Sequence, residues 1–256
     1  MLAAERHSKI VEIINNHKIV KVAELSRVLQ TTETTVRRDL DELEKQKKIR
    51  RIHGGAMSLN PTSKPFSERE LRILCMAEKQ KIAKAAYAFV DDNDALLLDG
   101  STTAQELAKL ISAGNRKHIS LITNSFNIVS YLAHVPHIHV IHTGGQLLAD
   151  MNYSIGVLTE NMLRDLKVDK CFLGTNGIDP SYGYSVPTFE DASVKKCMLA
   201  AAKQRFILAD HTKFNETYMG KFANFTGEID YLITDSEAKN LDLEIYETNI
   251  NLILAS

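Results

Sequence analysis

Cysteine is scarce in this 256-residue chain: Cys75, Cys171 and Cys197 are scattered, odd in number and without a C-x-x-C pair. Such a set excludes a disulfide framework and a zinc-finger ligand set, and it fits a reducing compartment. No apolar run approaches the roughly eighteen residues that a membrane span requires. The opening MLAAERHSK lacks the apolar core of a secretory leader, so a cytoplasmic protein with no membrane partner is expected. Neither G-x-x-x-x-G-K-[ST] nor G-x-G-x-x-G occurs, which makes nucleoside triphosphates and dinucleotides poor ligand candidates. An excess of one charge is missing too, the net being −1.

Charge is nevertheless unevenly placed. Residues 1–60 carry twelve Lys/Arg against eight Asp/Glu, a net of +4, and the remainder carries nineteen against twenty-four. A basic head on an acidic body suggests that only the head meets a polyanion. Within the head, Ile10, Val11, Ile13 and Ile14 recur at helical spacing over 5–16, and Val22, Leu25 and Leu29 repeat at i, i+3, i+7. A third helix opens at Thr32, a good N-cap, with Val36, Leu40 and Leu43 facing inward. Thr34, Thr35, Arg37 and Arg38 lie near its start, where hydroxyls and guanidinium groups suit base edges and phosphates of a major groove. Ile49 to His53 then reads as a strand, Gly54-Gly55 as a hairpin turn and Ala56 to Leu59 as the return strand. Lys48, Arg50, Arg51 and His53 accompany this basic wing. Helix followed by wing predicts binding to double-stranded DNA, and heads of this kind work in pairs, so a homodimer or higher homo-oligomer is expected.

The polar stretch NPTSKPFSERE from Asn60, with two prolines, marks a boundary. The division expected is a DNA-binding head over 1–59, a linker over 60–77 and a body over 78–256. In the body, apolar runs end in polar or glycine-rich residues: ALLLDGSTT at 95–103, ISLITNS at 119–125, IHVIHTGGQ at 138–146, KCFLGTNG at 170–177, RFILADHT at 205–212 and YLITDS at 231–236, with LILA closing the chain. Helical stretches separate most of them, which predicts an α/β domain with a mostly parallel sheet. Ligands of such sheets gather at the carboxyl ends of the strands. Those ends offer Asp99, Ser101, Thr102, Thr103, Thr123, Asn124, Gly144, Gly145, Gly174, Asn176, Gly177 and Asp210. DGSTT entering a helix suits a phosphate, Asp and Asn suit sugar hydroxyls, and Lys213 suits a phosphate or carboxylate.

TTVRRDLDELEKQ followed by IRRIHGGA resembles the helix-turn-helix signature of the deoxyribose-operon repressor (DeoR) family of bacterial regulators. TNS at 123–125, GG at 144–145, GTNGID at 174–179, SVKK at 193–196 and ADHTKF at 209–214 continue the resemblance through the body. It implies a winged helix-turn-helix joined to a ribose-5-phosphate isomerase-like α/β domain that binds a phosphorylated sugar as effector, with no cofactor and no metal. Ketose phosphates are among the effectors implied. It further implies that Asp99, Gly100, Ser101, Thr102, Thr103, Asn124, Gly144, Gly145, Gly177, Glu190, Lys195, Asp210 and Lys213 line the pocket. The family has glycine where this chain has Lys47, and a helix ending differently there is expected, since lysine adopts the left-handed conformation only at a cost. A transcriptional repressor of a sugar-utilisation operon is the function expected. The alternative is a sugar-phosphate isomerase with an accessory DNA head, its base Glu190 or Asp210 and its electrophile Lys213. His134, His137, His139 and His142 crowd together without zinc-type spacing and predict no metal site. Tyr182 and Tyr184 are expected at the surface or on a lid.

Overall fold

The computed structural model describes residues 3–17, 19–52, 54–58 and 68–256. The chain divides into two compact units between Cys75 and Met76. His53, Leu59 and residues 60–67 of the expected linker lie outside the described residues, and Glu68–Ile73 (labelled α4 below) is helical.

The first unit comprises α1 (Ala3–His17), β1 (Ile19–Lys21), α2 (Val22–Val28), α3 (Glu33–Lys45), β2 (Ile49–Ile52), β3 (Gly55–Ser58) and α4 (Glu68–Ile73). Ile10, Ile14, Leu25, Val36, Leu40, Leu43 and Ile49 form its fully buried core, as the helical spacing predicts. The wing is a three-stranded antiparallel sheet of order β1-β3-β2, and the short strand β1 went unread in the sequence. Ile52 pairs with Gly55, so the turn precedes Gly55, and of the two glycines it is Gly54 that carries a positive φ, of 78°. Gly55 is instead a strand residue; a Cβ there would collide with the Val20 carbonyl of β1. Glycine at 55 thus allows the third strand to pair.

The second unit runs through α5 (Met76–Tyr87), β4 (Ala95–Leu98), α6 (Thr102–Ala113), β5 (Ile119–Thr123), α7 (Phe126–Leu132), β6 (Ile138–His142), β7 (Gln146–Leu148), β8 (Tyr153–Ile155) and α8 (Val157–Arg164). It continues with β9 (Val168–Gly174), β10 (Gly177–Asp179), β11 (Gly183–Val186), α9 (Phe189–Ala201), β12 (Ala202–Leu208), β13 (Gly220–Ala223), β14 (Tyr231–Asp235), α10 (Glu244–Asn249) and β15 (Asn251–Ala255). The seven apolar runs become one parallel sheet of order β15-β14-β12-β9-β4-β5-β6. Side chains alternate between its faces. Leu96, Leu98, Phe172, Phe206 and Leu208 pack with Ile82 of α5 and Leu107 of α6. Leu97, Cys171, Leu173 and Ile207 pack on the other face with Val194 and Met198 of α9.

The strand order reverses between β4 and β9, which makes their carboxyl ends the topological switch point where open α/β sheets hold ligands. Two small antiparallel sheets, β7-β8 and β10-β11-β13, complete the unit. Tyr184, expected at the surface, is fully buried on β11 with its ring facing Phe222 and Phe225. All four positions of β11 are buried, so neither face of that strand meets solvent.

Candidate functional site

Two sites of opposite character arise, one in each unit. In the first, Thr32 caps α3 by accepting a hydrogen bond from the Thr35 amide at 3.3 Å, and its hydroxyl meets that of Thr35. Thr34, Arg37 and Arg38 share the exposed face at i, i+3 and i+4. Arg37 reaches back to Glu33 at 3.3 Å, an exposed pair. Lys48 is also exposed, whereas Arg50 is partly covered. Arg51 is placed differently from a free wing arginine. Its guanidinium reaches Asp41 at 3.1 Å and donates to the Gly55 carbonyl, and its amide bonds to Glu44. Arg51 therefore ties the wing to α3.

The exposed face is held by groups that sequence reading missed. Asp39, on the inner side of α3, accepts hydrogen bonds from Arg6 at 2.5 and 2.9 Å and contacts His7 at 3.0 Å. Burial works against its charge, but these donors hold the carboxyl below its ordinary range. At the other end of α3 the Lys48 amide bonds to Leu43 and the Lys47 amide to Glu44, with Lys47 at φ +53°. This is the Schellman closure that glycine normally makes. Contrary to expectation, the helix ends in the usual way and Lys47 takes the strained conformation.

The second site lies at the switch point. Asp99 follows β4; one carboxylate oxygen accepts from the Ser101 amide at 3.0 Å, the other from the Gly174 amide at 2.8 Å and from the Lys195 ammonium. Lys195 also donates to the Gly174 carbonyl. Asp191, one turn earlier on α9, is buried beside them. Burial pushes its carboxyl above the ordinary range, with Asp99 adding to the shift, Lys195 opposing it, and a hydrogen bond from Tyr153 also opposing it. Burial likewise opposes the charge of Lys195, yet Asp99 and Asp191 outweigh it and raise the ammonium's pKa. Glu190, the acid expected in the pocket, is exposed. The two neighbours point about 100° apart on the helix, and Asp191 is the one turned inward.

Ser101 caps α6 by accepting from the Ala104 amide, and by helix geometry the amides of Thr102 and Thr103 have no intrahelical acceptor. Gly100 lies against the ring of Tyr153, where any Cβ would clash. Asn124, after β5, bonds through its amide nitrogen to the Ser154 carbonyl. Among the described residues, its Oδ1 and the Ser154 hydroxyl are buried without a partner, polar capacity available to a ligand. Thr123 is fully buried and caps locally, bonding the Ser125 amide. Gly144 and Gly145 turn at positive φ and are exposed. Gly177 packs against the Glu216 backbone and the Ser185 hydroxyl.

Past β12, Asp210 is 1% exposed and accepts from the amide and hydroxyl of Thr212, with Lys213 at 3.4 Å. Burial opposes its charge, but Lys213 and Lys79 outweigh it and hold the carboxyl at about 2. Lys79, on α5, is itself buried. Next to Asp210 in the chain, His211 pairs with buried Asp235 at 3.0 Å. Lys79, Tyr153, Asp191 and Asp235 are all absent from the sequence reading.

His142 is a structural strut. Its Nδ1 accepts from the Gly144 amide, so its Nε2 carries the proton and donates to the Asn124 carbonyl, with Phe126 against its ring. Among the described residues no group of His, Cys, Asp and Glu could hold a metal ion, and no helix is long and apolar enough to cross a membrane.

Residues 6–62 match the family model of the DeoR-like helix-turn-helix domain, and residues 75–236 match the DeoR C-terminal sensor domain. The chain is 39% identical to the HTH-type transcriptional regulator YulB of Bacillus subtilis strain 168, over 92% of this chain and 90% of that one. It is 33% identical to the HTH-type transcriptional repressor GlcR of the same organism, over 92% and 89%. Among solved structures, ribose 5-phosphate isomerase A from Neisseria gonorrhoeae aligns with 58% of this chain and 55% of its own, at 15% identity and a TM-score of 0.39. A likeness at that level says nothing of chemistry.

Proposed function

Because the chain belongs to the DeoR family of DNA-binding transcriptional regulators, we propose that it is an operator-binding repressor released from DNA by a phosphorylated sugar. The observation that carries the effector half is the buried Asp99–Lys195–Asp191 cluster at the β4/β9 switch point, against the capped start of α6. Carboxylates and Asn124 suit sugar hydroxyls, and first-turn amides suit a phosphate. On the DNA side, Thr34, Arg37, Arg38 and Lys48 are the exposed groups for a groove and its flanking phosphates. Arg50, Thr32 and Thr35 support that face, and His53 is assigned to the wing from the sequence alone.

The chain is a regulator and not an enzyme, as its relatives are. The groups a phosphosugar isomerase would need argue the same way. Asp210, held at about 2, is a weak base, Glu190 is exposed, and Lys213, the electrophile of that alternative, pairs with Asp210 at 3.4 Å. A proton-abstracting base works best with a pKa near the operating pH.

Release requires the effector to favour the DNA-incompetent state, with a coupling of ~1–3 kcal/mol. A homodimer or higher oligomer fits two heads on repeated half-sites, and a ketose phosphate is the first effector to try. The test incubates pure protein with a panel of sugar phosphates while measuring operator release and product formation. Release without turnover is the result expected; turnover with no effect on DNA would overturn the reading.

A further inference from the structure

Arg205 breaks the pattern of the strand that carries it. It is the middle residue of β12, in register with Cys171 of β9 and on the face it shares with Ile207. That face packs against α9, and Leu97, Cys171, Leu173 and Ile207 fill it with apolar groups. Arg205 is partly buried there, and a guanidinium taken out of water is costly unless its donors and charge are matched. They are not matched. Among the described residues the guanidinium donates one hydrogen bond, from Nη1 to the Glu228 carbonyl at 3.0 Å, and pairs with no carboxylate. Its Nε is buried without a partner. Asp230, an acid within reach of this residue, accepts from the Arg205 backbone amide instead.

A cavity of about 230 Å³ opens at this arginine, lined also by Lys196, Leu199 and Ala200 of α9, Phe222 of β13 and Glu228. Lys196, Leu199 and Ala200 stand at i, i+3 and i+4, one stripe of the helix. Lys196 is exposed and, among the described residues, has no ion pair. Glu228, the one acid of the lining, turns Oε2 to the Asn224 amide. Two cations without a counter-charge thus face a single carboxylate that is already engaged, and the other walls are apolar. Asp191 and Lys195 of the same helix belong to the switch-point cluster, and Asp210 lies five residues on, roughly 16 Å along a strand. The cavity is therefore a separate place in the body. Its volume falls below the ~300–1,000 Å³ of sites for drug-sized ligands, which limits the occupant to a small molecule.

We propose that this cavity is a second ligand site of the body, for a small organic acid. The carboxylate of the acid meets the guanidinium fork of Arg205, with Lys196 adding charge, and its hydrocarbon part lies against Leu199, Ala200 and Phe222. Arginine presents its donors in a rigid plane that matches a carboxylate bidentately. An arginine kept only to tie down the segment between β13 and β14 would be served by Asp230 or Glu228, and both carboxylates are bonded elsewhere. The site shares no residue with the switch point and does not depend on the phosphosugar reading.

The test titrates the full chain with sodium benzoate, against sodium chloride of equal ionic strength, and follows the thermal midpoint, which rises when the native state binds. Benzamide, the uncharged isostere, serves as the control. Benzoate should raise the midpoint and benzamide should not. The benzoate concentration giving half the rise should increase about tenfold in Arg205→Gln, the loss of a charge-assisted contact. Arg205→Lys should recover only part of it, because the fork is gone. Ala200→Phe, at an exposed helix position, should fill the cavity and abolish the response, and it serves as the test should Arg205→Gln unfold the body. No rise with benzoate, equal rises with benzoate and benzamide, or a benzoate response undiminished in Ala200→Phe overturns the site.

Discussion

The head displays its working charges and the body hides them. Thr34, Arg37, Arg38 and Lys48 stand in solvent on α3 and after it, whereas Asp99, Asp191, Lys195 and Asp210 are almost wholly buried. The two proposed ligands ask for this difference. A duplex is a dense line of phosphates whose counterions must be released, and solvated, mobile cations meet it at little cost. A small polar effector must be told apart from others like it, which takes a few desolvated groups fixed in advance. The same substitution therefore has different consequences in the two regions. In the head it should change binding and spare stability; in the body it should threaten the fold.

The body gives the largest test. Lys195→Ala removes the ammonium that Asp99 and Asp191 share and leaves two buried carboxylates without it. Breaking a buried pair from one side typically costs about 3–5 kcal/mol, and urea unfolding of the body should show a loss of that order. Lys195→Ala with Asp99→Ala should cost less than the two single changes added, because no orphaned charge remains on that pair. A loss under about 1 kcal/mol would mean that the cluster is wetter than its burial implies, and the contrast with the head would dissolve.

Next in size is Arg37→Ala. Its guanidinium is half exposed and, among the described residues, pairs with exposed Glu33 alone, so thermal stability should stay within about 0.5 kcal/mol. Operator affinity at fixed salt should fall by about 1–3 kcal/mol if it reads a base, and if it holds a phosphate the salt dependence should lose about one unit of slope. Unchanged affinity at every salt concentration would remove α3 from the DNA interface.

Much of this contrast was legible in the sequence. The seven strands of the large sheet each carry an apolar run because both faces of the sheet are covered. The three-residue strands β1, β7, β8 and β10 carry too few positions for a period to show. Asp99, Lys195 and Asp210 stood out in glycine-, hydroxyl- or charge-rich segments. Asp191 did not, since only packing decides between neighbouring acids, although its i,i+4 spacing to Lys195 was a readable signal. Lys79 was readable too, as a lysine on an apolar helical stripe.

His211 is a third test, set between the exposed and the hidden, with a third of its side chain exposed and its partner Asp235 buried. The hydrogen bond to Asp235 raises the imidazole above 6.5, against some burial. Burial opposes the charge of Asp235, but the bonds from His211 hold it below its ordinary value of 3.8. A raised histidine stabilises fully below its unfolded value and loses that contribution as pH rises through its folded one; a depressed carboxylate does the reverse. The pair should thus be worth most between about pH 4 and 6.5. Thermal midpoints of the body should decline as pH climbs from 6 to 8, and His211→Gln should flatten that decline. An identical slope in the variant would show that other groups set the pH response.

The smallest effect belongs to Lys47, where the head departs from its own economy by storing strain. Its amide and that of Lys48 close the end of α3, and the closure holds its backbone at φ +53°. A residue with a Cβ adopts that conformation at a cost of about 1–2 kcal/mol, which glycine escapes. Glycine also has more freedom to lose on folding, about 0.4–1 kcal/mol. Lys47→Gly should therefore stabilise the head by on the order of 0.5–1 kcal/mol, read as slower hydrogen exchange of α3 and β2 amides in the full chain. Because Lys47 is also an exposed cation next to Lys48, the substitution should weaken operator binding slightly at low salt and not at high salt. Faster exchange would show that the lysine side chain contributes more to the helix end than its backbone costs. Weaker binding at every salt would place Lys47 among the groups that touch DNA and extend the displayed face of the head by one residue.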